Sequence, residues 1–212
     1  MLKYTMNDER MDEIFKHFKS LFGSEPKCEL NYTTGIDLLV AIILSAQCTD
    51  VRVNKVTETL FQKYKTIQDY ANADVAVFEQ EIYSTGFYRN KAANIIALCK
   101  KLVTEHDGVI PSDVDALATL PGIGRKTASV FVAEFHKLPA IAVDTHVIRI
   151  ANRLGMTTSK NPTIIERDLA KLWKRDDWAH WHLYMVLFGR YHCTSRNPKC
   201  EGCGVREWCK LH

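Results

Sequence analysis

The chain has 212 residues, 46% of them hydrophobic and 25% charged, with a formal net charge of +3 at pH 7. This length and apolar content predict a globular protein with one large domain or two small ones. The longest apolar run, residues 38–44, is far shorter than the roughly 20 residues that cross a bilayer, which argues against a membrane protein. The mildly basic charge permits a nucleic-acid partner without indicating one.

The N-terminus and the cysteines indicate a reducing, cytoplasmic location. Acidic residues stand near the N-terminus, where a secretory signal would need an apolar segment. Four of the seven cysteines lie within residues 193–212, which is not the pattern of a disulfide framework spread over a chain. We interpret the scattered Cys28, Cys48 and Cys99 as core thiols.

Apolar residues at helical spacing predict helices from the beginning of the chain. Residues 11–22 form one amphipathic helix, and residues 36–46 are apolar on nearly every side, as in a buried core helix. Thr49 or Asp50 can cap the helix that follows. Gln47 therefore lies at a junction between two helices.

A second junction between helices lies at residues 84–91. It contains two aromatic residues, Phe87 and Tyr88, beside an arginine and a lysine. Exposed aromatic side chains beside positive charge can stack on nucleic-acid bases or wedge between them. Packing of both rings into the core is the alternative, and the residues by themselves favour it.

A glycine turn precedes the next helix. A short helix is expected at residues 112–118, and the turn Pro121-Gly122-Ile123-Gly124 then leads into a helix that carries Lys126 in its first turn. Glycine permits backbone angles that a Cβ forbids, and the free N–H groups of a first helical turn form a cradle for phosphate. A turn that merely separates two helices is the alternative.

The remaining helices complete an all-α pattern. Residues 139–143 are apolar and extended, and Asp144 then begins a helix, so an ordinary N-cap is the alternative to a catalytic carboxylate there. Further helices are expected from Asn161 and over residues 177–191. Because no strand alternation interrupts this pattern, the predicted fold class is all-α.

Four cysteines near the C-terminus are spaced by six, two and five residues. They are Cys193, Cys200, Cys203 and Cys209. Structural zinc sites more often use two Cys-x-x-Cys pairs or mixed cysteine and histidine ligands, so the single pair favours an iron–sulfur cluster over zinc. Metal-free cysteines are the other alternative. Residues 190–212 contain five Lys/Arg and two Glu, which would present positive charge to a polyanion.

In their order and spacing, these motifs resemble the endonuclease III family, the helix-hairpin-helix DNA glycosylases and abasic-site lyases of base-excision repair. The matching motifs are residues 44–50, 120–126 and 143–146 and the four-cysteine array. The resemblance covers almost the whole chain. It implies a two-lobed fold, with a six-helix domain over residues 28–138 and an iron–sulfur cluster domain over residues 1–27 and 139–212.

The resemblance also implies the catalytic residues. Lys126 would attack the sugar C1′ and form a Schiff base, and Asp144 would stabilise the cationic sugar and assist proton transfer. Attack requires a neutral amine, which the neighbouring Arg125, partial burial and the positive end of the helix are expected to favour. The related adenine glycosylases usually carry another residue in place of Lys126, so this lysine indicates the bifunctional enzyme.

The DNA-binding residues follow from the same resemblance. Gln47 and Phe87 would enter the gap left by an extruded nucleotide, because oxidised pyrimidines within a duplex are out of reach of an active site. The full set of expected DNA-binding residues is Gln47, Phe87, Gly122, Gly124, Arg125 and His146. The expected partner is double-stranded DNA with damaged pyrimidines or abasic sites, bound by a monomer that has no membrane association.

The implied cofactor is a [4Fe–4S] cluster held by the four cysteines. Three residues depart from the family pattern without removing a catalytic group, since Cys48, Phe87 and Ser129 stand where Ala, Leu and Asn are frequent. Cys48 and Ser129 bear on substrate preference, and Phe87 bears on the role of the residue that enters the gap. The alternative from another functional class is a non-catalytic helix-hairpin-helix module with a structural metal, which would leave Lys126 and Asp144 without a shared role.

Overall fold

The computed structural model describes residues 7–211, and this part of the chain contains helices and no strand. The α-helices found there are Asp8–Phe22 (α1), Gly35–Ser45 (α2), Asp50–Lys63 (α3), Ile67–Ala71 (α4), Val75–Glu81 (α5), Tyr88–Glu105 (α6), Val114–Leu117 (α7), Arg125–Glu134 (α8), Thr145–Arg153 (α9), Pro162–Leu172 (α10) and Trp178–Tyr191 (α11). The all-α prediction is confirmed. The sequence predicts that the N-terminus carries no secretory signal. Residues 1–6, to which this prediction refers, lie outside the described residues. No helix in the described range combines the length and apolarity that a bilayer crossing needs.

The chain divides into two compact units, Cys28–His136 and Met1–Lys27 with Lys137–His212. We call the first the hairpin unit and the second the cysteine unit. The hairpin unit contains the seven helices α2 to α8, one more than the six expected. The additional helix is α4, whose five residues are too few to show a helical period in the sequence, although a capping box at Thr66 begins it.

Side-chain caps begin most of the helices, α6, α8 and α11 being exceptions. Thr49 Oγ1 accepts a hydrogen bond from the Arg52 N–H at 3.3 Å, and Asn161 Oδ1 accepts from the Thr163 N–H at 2.9 Å. Each such cap contributes about 1 kcal/mol. The start of α1 differs from the prediction by three residues because Asn7 caps it, which adds an acidic first turn at Asp8.

The core of the hairpin unit surrounds α2, which is buried from Gly35 to Leu44, as the sequence predicted. Cys99 on α6 is fully buried, and burial raises the pKa of its thiol to about 12. Cys28 is half-buried, and burial raises its pKa to about 11. Cys48 is also half-buried. Of the three scattered cysteines that we interpreted as core thiols, Cys99 is therefore buried in the core and the other two are not.

Aromatic side chains form the core of the cysteine unit. The rings of Trp173 and Trp181 stack with centroids 5.2 Å apart, and Phe18 of α1 packs against Phe188 of α11 at 4.7 Å. The Tyr184 hydroxyl donates a hydrogen bond to the Gly23 carbonyl at 2.6 Å, just beyond the end of α1. The N-terminal helix is therefore built into the same unit as the four C-terminal cysteines.

Candidate active site and metal centre

The hairpin between α7 and α8 has the geometry of an anion-binding turn. Gly122 has φ +73°, and a Cβ there would lie 2.7 Å from the Cβ of Asn94. Gly124 is the N-cap of α8, and no side chain caps this helix. The first turn of a helix is where backbone N–H groups bind phosphate oxygens, and the helix dipole favours negative charge at this point.

The two hairpin glycines are expected to respond differently to alanine. Gly122→Ala introduces both a steric overlap and a positive φ, so we expect a loss of about 1–3 kcal/mol of stability and weaker DNA binding. Gly124→Ala is the matched control for stability, because no atom lies within 4 Å of its Cβ position and its φ is −91°. Thermal unfolding tests the pair, and equal stability of the two variants would contradict the expectation, while binding of Gly122→Ala to an abasic-site duplex is compared with that of the parent protein.

Lys126 lies in the first turn of α8, and its side chain is exposed. The expected partial burial is wrong, because the buried face of α8 begins only at Ala128 and Ser129. Arg125 pairs with Asp115, with Nη1 and Oδ1 2.6 Å apart and both side chains exposed. The sequence did not indicate Asp115 as the partner of this predicted DNA-binding arginine.

Asp144 is the N-cap of α9. Its Oδ1 accepts hydrogen bonds from the N–H groups of His146 at 2.8 Å and Val147 at 2.9 Å. Within the described residues no further hydrogen bond to this carboxylate is found, which leaves Oδ2 open to another partner. The capping role is thus present, and it is compatible with a catalytic one.

His146 packs within the cysteine unit. A Cβ on Gly189 of α11 would lie 2.8 Å from the His146 Cβ, and the His146 Nδ1 is 3.1 Å from Arg149 Nη2. These contacts explain why α11 carries a glycine at this position. The assignment of His146 to DNA binding remains a prediction.

Gln47 and Phe87 share an unusual backbone conformation. Their φ angles are +55° and +50°, in the left-handed region that few non-glycine residues adopt. Both side chains are exposed, Phe87 to 63%. The inward packing that the residues alone favoured is therefore wrong for Phe87, whereas Tyr88 is half-buried, with its ring 4.8 Å from that of Tyr83.

The four C-terminal cysteines line one small pocket. Four cysteine sulfurs around a single pocket are a donor set that suits an iron–sulfur cluster. The Nε2 atoms of His17 and His192 are buried without a hydrogen-bond partner in the described part of the chain, and ligand atoms of both imidazoles lie within 4.8 Å of Cys203 Sγ. Burial raises the pKa of Cys203 and Cys209, so a cation is needed to hold these two groups as thiolates.

Two arginines of α9 hold the loop that carries the first of these cysteines. Arg153 donates hydrogen bonds from Nη1 to Cys193 Sγ at 3.1 Å and to the Thr194 carbonyl at 2.8 Å. Arg149 Nε donates to the Cys193 carbonyl at 3.1 Å. Sequence reasoning missed both residues, because arginine at the end of an amphipathic helix has no distinguishing pattern.

Comparison with known proteins identifies the family. Residues 40–175 match the model of the HhH-GPD superfamily base excision DNA repair proteins, and residues 193–209 match the iron–sulfur binding domain of endonuclease III. An endonuclease III from Synechocystis sp. is 45% identical to this chain over 98% of the chain and 94% of that protein. The chain belongs to the endonuclease III family. The Escherichia coli endonuclease III is 39% identical over 97% of each chain.

Solved structures of endonuclease III agree with this assignment. One, described as a non-covalent endonuclease III–DNA complex, is 41% identical with a TM-score of 0.91 and covers 97% of this chain and 96% of that one. Another is described as a trapped endonuclease III–DNA covalent intermediate, with the same identity and TM-score. As a member of this family, the protein is a DNA glycosylase and lyase of base-excision repair, and its cofactor is a [4Fe–4S] cluster.

Loss of the Arg153 contacts is expected to weaken cluster retention. Arg153→Met removes the donor to Cys193 Sγ and frees the loop. Loss of a hydrogen bond to a metal-ligating side chain lowers metal affinity by about tenfold or more. Iron release under a chelator should therefore be faster than in the parent protein. Arg167→Met, at an exposed site on α10, is the control. Unchanged iron release in Arg153→Met would show that the loop does not depend on this side chain.

Proposed function

We propose that the protein removes oxidised pyrimidines from double-stranded DNA and cleaves the resulting abasic site through a Schiff base on Lys126. The observation that carries the proposal is the hairpin, where an exposed lysine stands two residues after an uncapped helix N-terminus. A backbone phosphate bound by the first-turn N–H groups would bring its own sugar within reach of the Lys126 Nζ. The covalent endonuclease III–DNA complex named above supports a covalent route.

The chemistry begins with extrusion of the damaged nucleotide, while Gln47 and Phe87 enter the space it leaves. The neutral Lys126 amine then attacks C1′. The new N–C1′ bond forms as the bond from C1′ to the base breaks, and the base departs with a proton. Loss of the ring C1′–O bond gives a Schiff base, and removal of a C2′ proton expels the 3′ phosphate by β-elimination.

Asp144 supplies the carboxylate in this scheme. A negative charge stabilises the cationic sugar as the base departs, and the same group accepts the proton that the attacking amine loses. The cap bonds of Oδ1 hold the carboxylate in one orientation at the start of α9. The oxygen that makes no cap bond is the one we assign to substrate.

The cysteine unit contributes DNA docking in this proposal. Cys193, Cys200, Cys203 and Cys209 would hold the cluster, and their shared bonding to it would make the loop between Cys193 and Cys209 rigid. Four basic residues near it are exposed: Arg196, Lys199, Arg206 and Lys210. Contacts between these charges and phosphates would make binding strongly dependent on salt. We further propose that the protein works as a monomer in the cytoplasm, where it meets the DNA.

The proposed function is tested by borohydride trapping on a panel of duplexes. A duplex with thymine glycol should give a covalent protein–DNA adduct and strand scission, and an abasic-site duplex should give the same adduct. Undamaged duplex is the control and should give neither. Cleavage of the thymine-glycol duplex without any trappable adduct would exclude the Schiff base. Binding to abasic DNA without scission would indicate a non-catalytic DNA-binding module.

A further inference from the structure

Lys91 is a buried lysine that the proposed chemistry does not use. It lies in the first turn of α6 and is 5% exposed. Its Nζ donates hydrogen bonds to the Leu44 carbonyl at 2.7 Å and to the Thr85 carbonyl at 2.8 Å. Burial lowers the pKa of this amine, and no carboxylate pairs with it in the described part of the chain. A buried cation with only carbonyl partners is costly unless both hydrogen bonds are kept.

The two carbonyls belong to the ends of two different segments. Leu44 lies in the last turn of α2, and Thr85 ends the short 3-10 helix Tyr83–Thr85. Carbonyls at helix C-termini lack partners within the helix and carry partial negative charge. One ammonium therefore satisfies both C-terminal ends and fixes them to each other.

Each of these ends leads directly into a predicted DNA-contacting residue. Gln47 follows Leu44 by three positions, and Phe87 follows Thr85 by two. Both residues have positive φ, a conformation that costs about 1–3 kcal/mol and persists only where the surrounding structure imposes it. Phe87 is too exposed to be placed by packing of its own ring. The shared feature beneath both junctions is the Lys91 ammonium.

We propose that Lys91 is a positioning residue that holds the Gln47 and Phe87 junctions together, so that both side chains reach the gap left by an extruded nucleotide. Lys91 itself does not touch DNA, because its ammonium is enclosed by the protein. The inference rests on the proposed function for the roles of Gln47 and Phe87. Lys91 would affect the reaction only through the positions of Gln47 and Phe87.

The test is a double-substitution cycle between Lys91→Met and Phe87→Ala. Methionine keeps an unbranched side chain that is one atom shorter than that of lysine, and it has no donor. We expect Lys91→Met alone to slow single-turnover release of thymine glycol about tenfold. When Phe87 is already alanine, the same substitution should slow release by a smaller factor, because only its effect through Gln47 remains and residues that act through each other are non-additive. Fluorescence of 2-aminopurine beside the lesion reports extrusion and should decrease in parallel. Lys100→Met, at an exposed site on α6, is the control.

Hydrogen exchange of the protein without DNA tests the role of Lys91 independently of the proposed function. In Lys91→Met, hydrogen exchange should become faster at residues 45–48 and 84–88 while the rest of the hairpin unit is unchanged. If Lys91→Met does not fold, Lys91→Gln, which retains a donor but cannot span both carbonyls, replaces it.

The outcomes are distinct. A loss of extrusion in Phe87→Ala with normal extrusion and exchange in the Lys91 variant would overturn the role of Lys91 and leave the proposed function intact. Full additivity of the two substitutions would also overturn it, because it would show a general effect on stability. Normal extrusion in Phe87→Ala would instead overturn the role given to Phe87 under the proposed function.

Discussion

Replacement of Lys126 by alanine is expected to abolish the borohydride-trapped adduct and to slow β-elimination at an abasic site by about 1000-fold, or about 4 kcal/mol of barrier. The amine is the atom that bonds to C1′ in the proposed chemistry, and the adjacent Arg125 cannot replace it, since that side chain is always protonated and pairs with Asp115. Because Lys126 is exposed, the free energy of unfolding should change by less than about 0.5 kcal/mol.

Single-turnover cleavage of an abasic-site duplex, together with denaturing electrophoresis after borohydride treatment, measures both effects of Lys126→Ala. Lys100→Ala removes an exposed lysine from α6 and should leave both readouts unchanged. Binding to the same duplex should survive in Lys126→Ala, because the hairpin N–H groups remain. A trapped adduct in this variant would assign the nucleophile to another amine.

The second large effect is expected from Asp144→Asn, which separates the two roles of this residue. Asparagine caps a helix about as well as aspartate, so stability should change by less than about 0.5 kcal/mol. It cannot carry the negative charge, so base release should slow by about 100-fold or more, equivalent to about 2.7 kcal/mol. Asp144→Ala should show the same catalytic loss and, in addition, lose about 1 kcal/mol of stability with the cap.

Urea unfolding and single-turnover base release, measured for both Asp144 variants, test this separation. Thr49→Ala provides a reference, because it removes an N-cap from α3 in the hairpin unit and should lower stability without a comparable catalytic loss. If Asp144→Asn retained full activity, the carboxylate would be a helix cap only. The catalytic scheme would then need another source of negative charge.

Local features of this protein were predictable because they depend on neighbours in the chain. The hairpin glycines, the Asp144 cap and the spacing of the four cysteines each follow from a few adjacent residues. The resemblance to endonuclease III rested on these same features, and the comparisons confirm it. The five-residue α4 was missed because its helical pattern is shorter than two turns.

Side-chain exposure was the part that sequence patterns predicted poorly. The local residues by themselves favoured inward packing of Phe87, whereas its side chain is exposed and its backbone is left-handed. Lys126 was expected to be partly buried and is exposed, because the buried face of α8 starts two residues later. Both errors concern the first residues of a helix, where the direction of entry depends on the preceding turn.

By itself, the sequence determined the all-α class, the family, the four-cysteine array and the hairpin with its lysine, since each is encoded by residues close together in the chain. Only the tertiary structure decided the burial of Lys91, which reaches a carbonyl 47 positions away, and the approach of His17 to Cys203 from the opposite end of the chain. Such contacts arise from the packing of whole helices. Packing depends on many side chains at once, and no single pattern along the chain records it.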